Sequence, residues 1–105
     1  MVDSQIDADV AAGGVLIYSK SYCPFAAQTK DLFKKGGVDA KIYELDQMPN
    51  GNDIQNALKA KTGQSTVPNV FIAGKHIGGN DKTQAMHARG DLVPTLNAAG
   101  IKHSF

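Results

Sequence analysis

The sequence predicts a single α/β domain: a mixed four-stranded sheet made of a parallel βαβ unit and an antiparallel ββ hairpin, flanked by helices. Three observations predict it. Val15-Leu16-Ile17-Tyr18 is a continuous apolar run after a glycine pair, the pattern of a strand buried on both faces. From that run to Leu45 the order is strand, helix, strand with short links, which is the signature of a parallel crossover. Val70-Phe71-Ile72 and His76-Ile77 then flank Ala73-Gly74-Lys75, a turn that sends the chain back antiparallel.

Each element has a local reason. Val2, Ile6 and Val10 recur at four-residue steps, with Asp3 or Ser4 available as a cap and Gly13-Gly14 as the stop, so the chain opens with a short amphipathic helix. After the first strand, Pro24 starts a helix to about Lys35 with Phe25, Thr29, Leu32 and Phe33 on one face, and Gly36-Gly37 ends it. Lys41 to Leu45 is the second strand. Asn50-Gly51-Asn52-Asp53 opens a helix through Ile54, Ala57 and Leu58 to Lys61, with Gly63 as its terminator. Asn80-Asp81 caps a helix to about Arg89. Asp91 caps a last one through Leu92, Val93, Leu96 and Ala99, and Pro94 is tolerated there because it falls in the first turn.

Composition limits the function. The chain of 105 residues forms one domain over 1–105, with room for a single core. A formal net charge of +1 gives no field for nucleic acid or an anionic membrane. Neither a secretory leader pattern nor an apolar run of bilayer length is visible, so a cytoplasmic location is expected. The single cysteine excludes an internal disulfide or a multi-cysteine zinc site. His76, His87 and His103 lack the close spacing of metal ligands, and no metal is expected.

That cysteine, Cys23, sits where the first strand gives way to a helix, in Lys20-Ser21-Tyr22-Cys23-Pro24-Phe25-Ala26. Pro24 suits the first helical position, which makes Cys23 the N-cap. The free amides of the first turn, from Phe25 and Ala26 onward, are expected to point at the sulfur, and the positive end of the helix dipole favours a thiolate. Lys20 adds a cation. An isolated cysteine is otherwise an inert small hydrophobe; the proline, the lysine and the strand-to-helix setting argue for a nucleophile instead. In βαβ units ligands collect at the carboxyl ends of the strands, where Cys23 lies.

These residues carry a resemblance. Lys20-Ser21-Tyr22-Cys23-Pro24-Phe25 resembles the active-site turn of the glutaredoxins, Thr66-Val67-Pro68 resembles their TVP element, and Gly78-Gly79-Asn80-Asp81 resembles their glycine pair with its polar helix cap. The three stand in the right order and spacing, and the likeness runs from Val15 to about Gly100. It implies a thioredoxin-like fold with a cis Pro68. One departure matters: dithiol members have a second, resolving cysteine three residues after the first, and here that position is Ala26. The monothiol branch places Gly-Phe-Ser after its cysteine, which Pro24-Phe25-Ala26 does not match, so the frame is dithiol with one thiol missing.

The resemblance implies a glutathione-dependent thiol–disulfide oxidoreductase with glutathione as co-substrate and glutathionylated proteins and small mixed disulfides as partners. Cys23 would attack a glutathione mixed disulfide and become glutathionylated; with Ala26, dithiol reduction of protein disulfides would be lost. Lys20 and Gln64 would hold the glycine carboxylate of glutathione. Thr66, Val67 and Pro68 would present backbone to its cysteinyl unit, and Gly79, Asn80 and Asp81 would receive its γ-glutamyl end, with Phe25 as a wall. A monomer suffices. Two other readings compete. One is a carrier that bridges a [2Fe–2S] cluster between two protomers with one cysteine and one glutathione each; Pro24 counts against it, because that branch places glycine there. The other is a redox-inert binding module, which would leave Cys23 unreactive to alkylation in mild acid.

Overall fold

The computed structural model describes residues 2–105. Helix α1 (Val2–Ala11) leads into strand β1 (Val15–Ser19), helix α2 (Pro24–Lys35) and strand β2 (Ala40–Glu44). A single 3-10 turn, Leu45–Gln47, precedes helix α3 (Gly51–Thr62). Strands β3 (Asn69–Ile72) and β4 (Lys75–Gly78) follow, then helices α4 (Asn80–Arg89) and α5 (Leu92–Ala98). The sheet order is β2-β1-β3-β4, with β1 parallel to β2 and antiparallel to β3, and β3 antiparallel to β4. This is the mixed four-stranded sheet the sequence predicts.

The continuous apolar run is central because both of its faces are covered. All five residues of β1 are buried. Val15 and Ile17 face a core shared with Phe33, Val38, Val70, Ile72, Leu92 and Leu96. Leu16 and Tyr18 face the other way, toward Ile6, Leu45, Ile54, Leu58 and Phe71. One strand thus feeds two cores, and α2, α4 and α5 cover one face of the sheet while α1 and α3 cover the other. Each fully buried aliphatic or aromatic side chain in these cores contributes about 1.5–3 kcal/mol by leaving water.

Boundaries and caps depart from the sequence reading in instructive ways. Gly63 ends α3 in the left-handed region at φ 79°, as a terminator should. The second strand stops at Glu44, and Leu45 drops its side chain into the α1/α3 core as the first residue of the 3-10 turn. The returning strand starts at Lys75, leaving Ala73-Gly74 as a two-residue connection. None of the expected side-chain caps forms: α1 begins at Val2, which puts Asp3 and Ser4 inside its first turn, Asn80 and Asp81 lie inside α4 after Gly79 at the cap position, and the side chains of Asn50 before α3 and Asp91 before α5 accept no backbone N–H. The Asp91 carboxylate is instead paired with Arg89 at 2.9 Å. On α2 the buried residues are Ala26, Thr29 and Phe33, whereas Phe25 is 58% exposed. Phe25 therefore belongs to the surface around Cys23 and not to the core face.

Candidate active site

The site grows from the chain reversal between β1 and α2. Cys23 is the N-cap of α2 with Pro24 in the first turn, its backbone extended at φ −87° and ψ 116°. Two backbone bonds build the turn: the Cys23 amide donates to the Lys20 carbonyl at 3.1 Å, and the Ala27 amide donates to the Cys23 carbonyl at 3.0 Å. Ser21 fastens the turn from outside. Its amide donates to Asp46 Oδ1 at 2.9 Å and its hydroxyl donates to Asp46 Oδ2. These two bonds, with Lys20 nearby, hold the Asp46 carboxyl below the usual range. The reversal after β1 is thus tied to the 3-10 turn after β2, so the carboxyl ends of both parallel strands brace the cysteine. Only that topology signals Asp46 in the sequence; its residue type does not.

The sulfur does not sit as expected. It forms no capping bond with the amides of α2; as a thiol, Cys23 Sγ donates to the Val67 carbonyl at 3.7 Å. That contact joins the cysteine to a cleft of about 500 Å³. It is lined by Phe25, by Gln64, Thr66, Val67 and Pro68 of the loop before β3, and by Gly79, Asn80, Asp81 and Lys82 at the start of α4. The Val67–Pro68 peptide bond is cis. Eight of the residues picked from the sequence thus meet around one space. Lys20 does not line it, and Lys82, which the sequence reading passed over, does. Tyr22 stands 69% exposed beside the cysteine.

Two lining residues are already committed inside the protein. Gln64 Nε2 donates both its hydrogens, to the Thr66 carbonyl at 3.0 Å and to the Pro68 carbonyl at 2.9 Å. The same loop is held from α3, where Gln55 Nε2 donates to the Ser65 carbonyl at 2.7 Å. Gln64 braces the loop and has only an acceptor left, which is the wrong polarity for a carboxylate. Asn80 is largely committed as well. Its Oδ1 accepts from Thr29 Oγ1 at 2.8 Å and from Gln84 Nε2 at 3.2 Å, and its Nδ2 donates to Gln28 Oε1 at 2.9 Å. The Asn80 side chain therefore latches α4 to α2, and what it shows the cleft is backbone. Asp81 and Lys82, both exposed, are the charged groups of the lining. Among the described residues no group of three or more His, Cys, Asp or Glu is placed to hold a metal.

Comparison with known proteins agrees with this geometry. Residues 15–77 match the family model described as glutaredoxin. A glutaredoxin from Vernicia fordii is 50% identical over 91 residues, covering 87% of this chain and 88% of that protein. Glutaredoxin-C6 of Oryza sativa subsp. japonica is 54% identical over 91 residues, covering 87% and 81%. Among solved structures, a buckwheat glutaredoxin–glutathione complex superposes with a TM-score of 0.92 at 43% identity, covering 95% of this chain and 91% of that one. Wheat glutaredoxin superposes at 0.92 with 49% identity, covering 97% and 96%. With β1, the Cys23 turn, the cis proline and most of β4 inside the matched span, the chain belongs to the glutaredoxins, thiol–disulfide oxidoreductases on a thioredoxin-like fold.

Proposed function

We propose that the chain reduces glutathione mixed disulfides by a monothiol cycle in which Cys23 is the sole nucleophile. One observation supports it above the others: Cys23 Sγ lies 3.7 Å from the carbonyl of Val67, whose backbone lines the cleft. A short extended peptide that pairs with the backbone of Val67, as a strand adds to a sheet edge, brings its own cysteinyl sulfur beside Cys23. The buckwheat relative is known as a glutathione complex, and that tripeptide is the ligand proposed here.

The cycle balances without a second protein thiol. The Cys23 thiolate attacks the glutathione sulfur of R–S–S–G. The new Cys23–glutathione disulfide forms as the old S–S bond breaks, and R–S⁻ leaves and takes up a proton. The thiolate of a second glutathione attacks the glutathione sulfur on Cys23, giving oxidised glutathione and restoring the Cys23 thiolate. The net change is R–S–S–G plus glutathione to R–SH plus oxidised glutathione. Ala26, fully buried one turn after Cys23, offers no sulfur to displace the adduct, so the protein disulfide route that needs two thiols is closed. Each step uses one chain, so a monomer is enough.

Incubation with oxidised glutathione and measurement of intact mass should show one glutathione adduct, removed by excess free glutathione. In a coupled assay with a glutathionylated substrate, Cys23→Ser should lose at least about 1,000-fold in kcat/KM, about 4 kcal/mol of transition-state stabilisation. Turnover retained by that variant would overturn the assignment. Cluster carriage predicts something else, a coloured dimer after anaerobic reconstitution that falls apart when glutathione is withdrawn.

A further inference from the structure

Ser19 at the end of β1 and Ala26 in α2 are fully buried, but no residue from 20 to 25 is. Cys23 stands inside that stretch, so apolar packing does not set where its sulfur lies. The reversal has one backbone bond of its own, from the Cys23 amide to the Lys20 carbonyl. Among the described residues, a single side chain from a distant segment bonds to it: Asp46, which takes both the amide and the hydroxyl of Ser21. A carboxylate suits that task, because it is acceptor-only and has two oxygens for the two donors.

Asp46 itself stands on fixed ground. Its neighbour Leu45 is buried in the α1/α3 core. Gly51, the buried first residue of α3, packs directly on the main chain of that turn: a Cβ there would run into the Leu45 carbonyl, 2.7 Å from its carbon. Main chain cannot swing aside as the end of a side chain can. The two Ser21 bonds, with Lys20 nearby, also keep the Asp46 carboxyl ionised well into acid, so the clamp is in place throughout the neutral range.

We propose that Asp46 is a positioning residue for the reaction: by clamping Ser21 it holds the Cys23 sulfur beside Val67, in line with the disulfide of a substrate in the cleft. Asp46 touches no reacting atom. The inference rests on the glutathione reading above. Asp46→Ala should lose about tenfold in kcat/KM on a glutathione mixed disulfide, since a small displacement of the nucleophile is costly. Iodoacetamide reaches the sulfur without filling the cleft, so Cys23 alkylation followed from pH 5 to pH 9 should keep the wild-type midpoint and stay within about twofold in rate. Asp46→Asn removes the charge and keeps the clamp: its amide oxygen accepts from the Ser21 N–H, and its amide hydrogens donate to the Ser21 hydroxyl, which accepts as readily as it donates. It should stay within about threefold of wild type. Ser21→Ala, which keeps the amide bond, should lose about threefold, and adding it to Asp46→Ala should cost nothing further. If Asp46→Asn falls as far as Asp46→Ala, or if the alkylation midpoint moves with turnover, the carboxylate acts by its charge on the sulfur and the positioning role is wrong. Wild-type turnover in Asp46→Ala also overturns it, and the glutathione reading then stands. If wild type forms no Cys23 adduct and turns over no mixed disulfide, the glutathione reading fails and takes this one with it.

Discussion

The two faces of the sheet bury polar groups on different terms. Toward α1 and α3 an aromatic cluster sits among aliphatic side chains: Tyr18 stacks on Tyr43 with ring centroids 5.5 Å apart and meets Phe71 edge-on at 6.1 Å. The Tyr18 hydroxyl in that layer is buried with no hydrogen-bond partner among the described residues. Toward α2 and α4 the core is mostly aliphatic, but it closes on the Thr29–Asn80–Gln28–Gln84 network, in which every polar atom of the Asn80 side chain is bonded. Glu44 on this side leaves one oxygen without a partner among the described residues while the other pairs with Lys30 at 2.8 Å, holding α2 to β2. Apolar contact is non-directional and supplies stability without fixing angles. A saturated polar network is directional, and here it joins the two helix starts that carry Cys23 and Asp81. The α1/α3 face reaches the site through Val67 and the Gln55–Ser65 bond, whereas the network on the other face joins the two helices that carry Cys23 and Asp81.

That division can be broken by mutation, and the largest effect on stability should come from the α1/α3 face. Leu58 is 1% exposed in the α1/α3 core, and Leu58→Ala should cost about 2–5 kcal/mol in chemical denaturation through lost burial and the cavity left behind. Its kcat/KM per folded molecule should stay within about twofold of wild type, since Leu58 itself does not line the cleft and only Val67 links that core to it. Asn80→Ala should cost less, about 1–3 kcal/mol, by leaving the Thr29 hydroxyl and the Gln28 amide oxygen without their partner. It should nevertheless raise KM for a glutathione mixed disulfide several-fold, because α4 is no longer keyed to α2. If the leucine variant, assayed well below its Tm, loses as much kcat/KM as the asparagine variant, the two faces do not divide the work in this way.

Much of the fold was legible because it follows from patterns that local physics fixes. The run Val15–Tyr18 is apolar at every position, which only a strand covered on both faces needs, and β1 is that strand. Cys23 before Pro24 was legible for the same reason: proline's fixed φ marks the first turn, so its neighbour must be the cap. Phe25 was misassigned because periodicity within the first turn is ambiguous by one position, and the residue that enters the core there, Ala26, is too small to carry a hydrophobic signal. Asn80 reads as a cap in sequence because asparagine favours caps, whereas the approach of Thr29 and Gln28 across 51 and 52 positions of chain turns it inward. For Asn80 the missing information is a contact between segments distant in sequence, which no local pattern encodes.

The smallest effect sharpens the comparison most directly, because it concerns the orphan hydroxyl itself. Burying a hydroxyl without a partner is unfavourable, so Tyr18→Phe, which keeps the ring and its stacking, should be neutral or stabilise by up to about 1 kcal/mol near neutral pH. The sign is opposite to that for the bonded Asn80, though both groups are buried. Burial first, and the Asp9 carboxylate second, push the Tyr18 phenol well above its ordinary value of 10.0. In the unfolded chain that phenol ionises near 10.0 while in the folded chain it keeps its proton, so over this window the folded state binds more protons and stability falls as pH rises. Phenylalanine at 18 has no such term. The advantage of Tyr18→Phe in denaturation midpoint should therefore widen from pH 9 to pH 11, and a difference that stays flat across that range would show that the hydroxyl finds a partner after all.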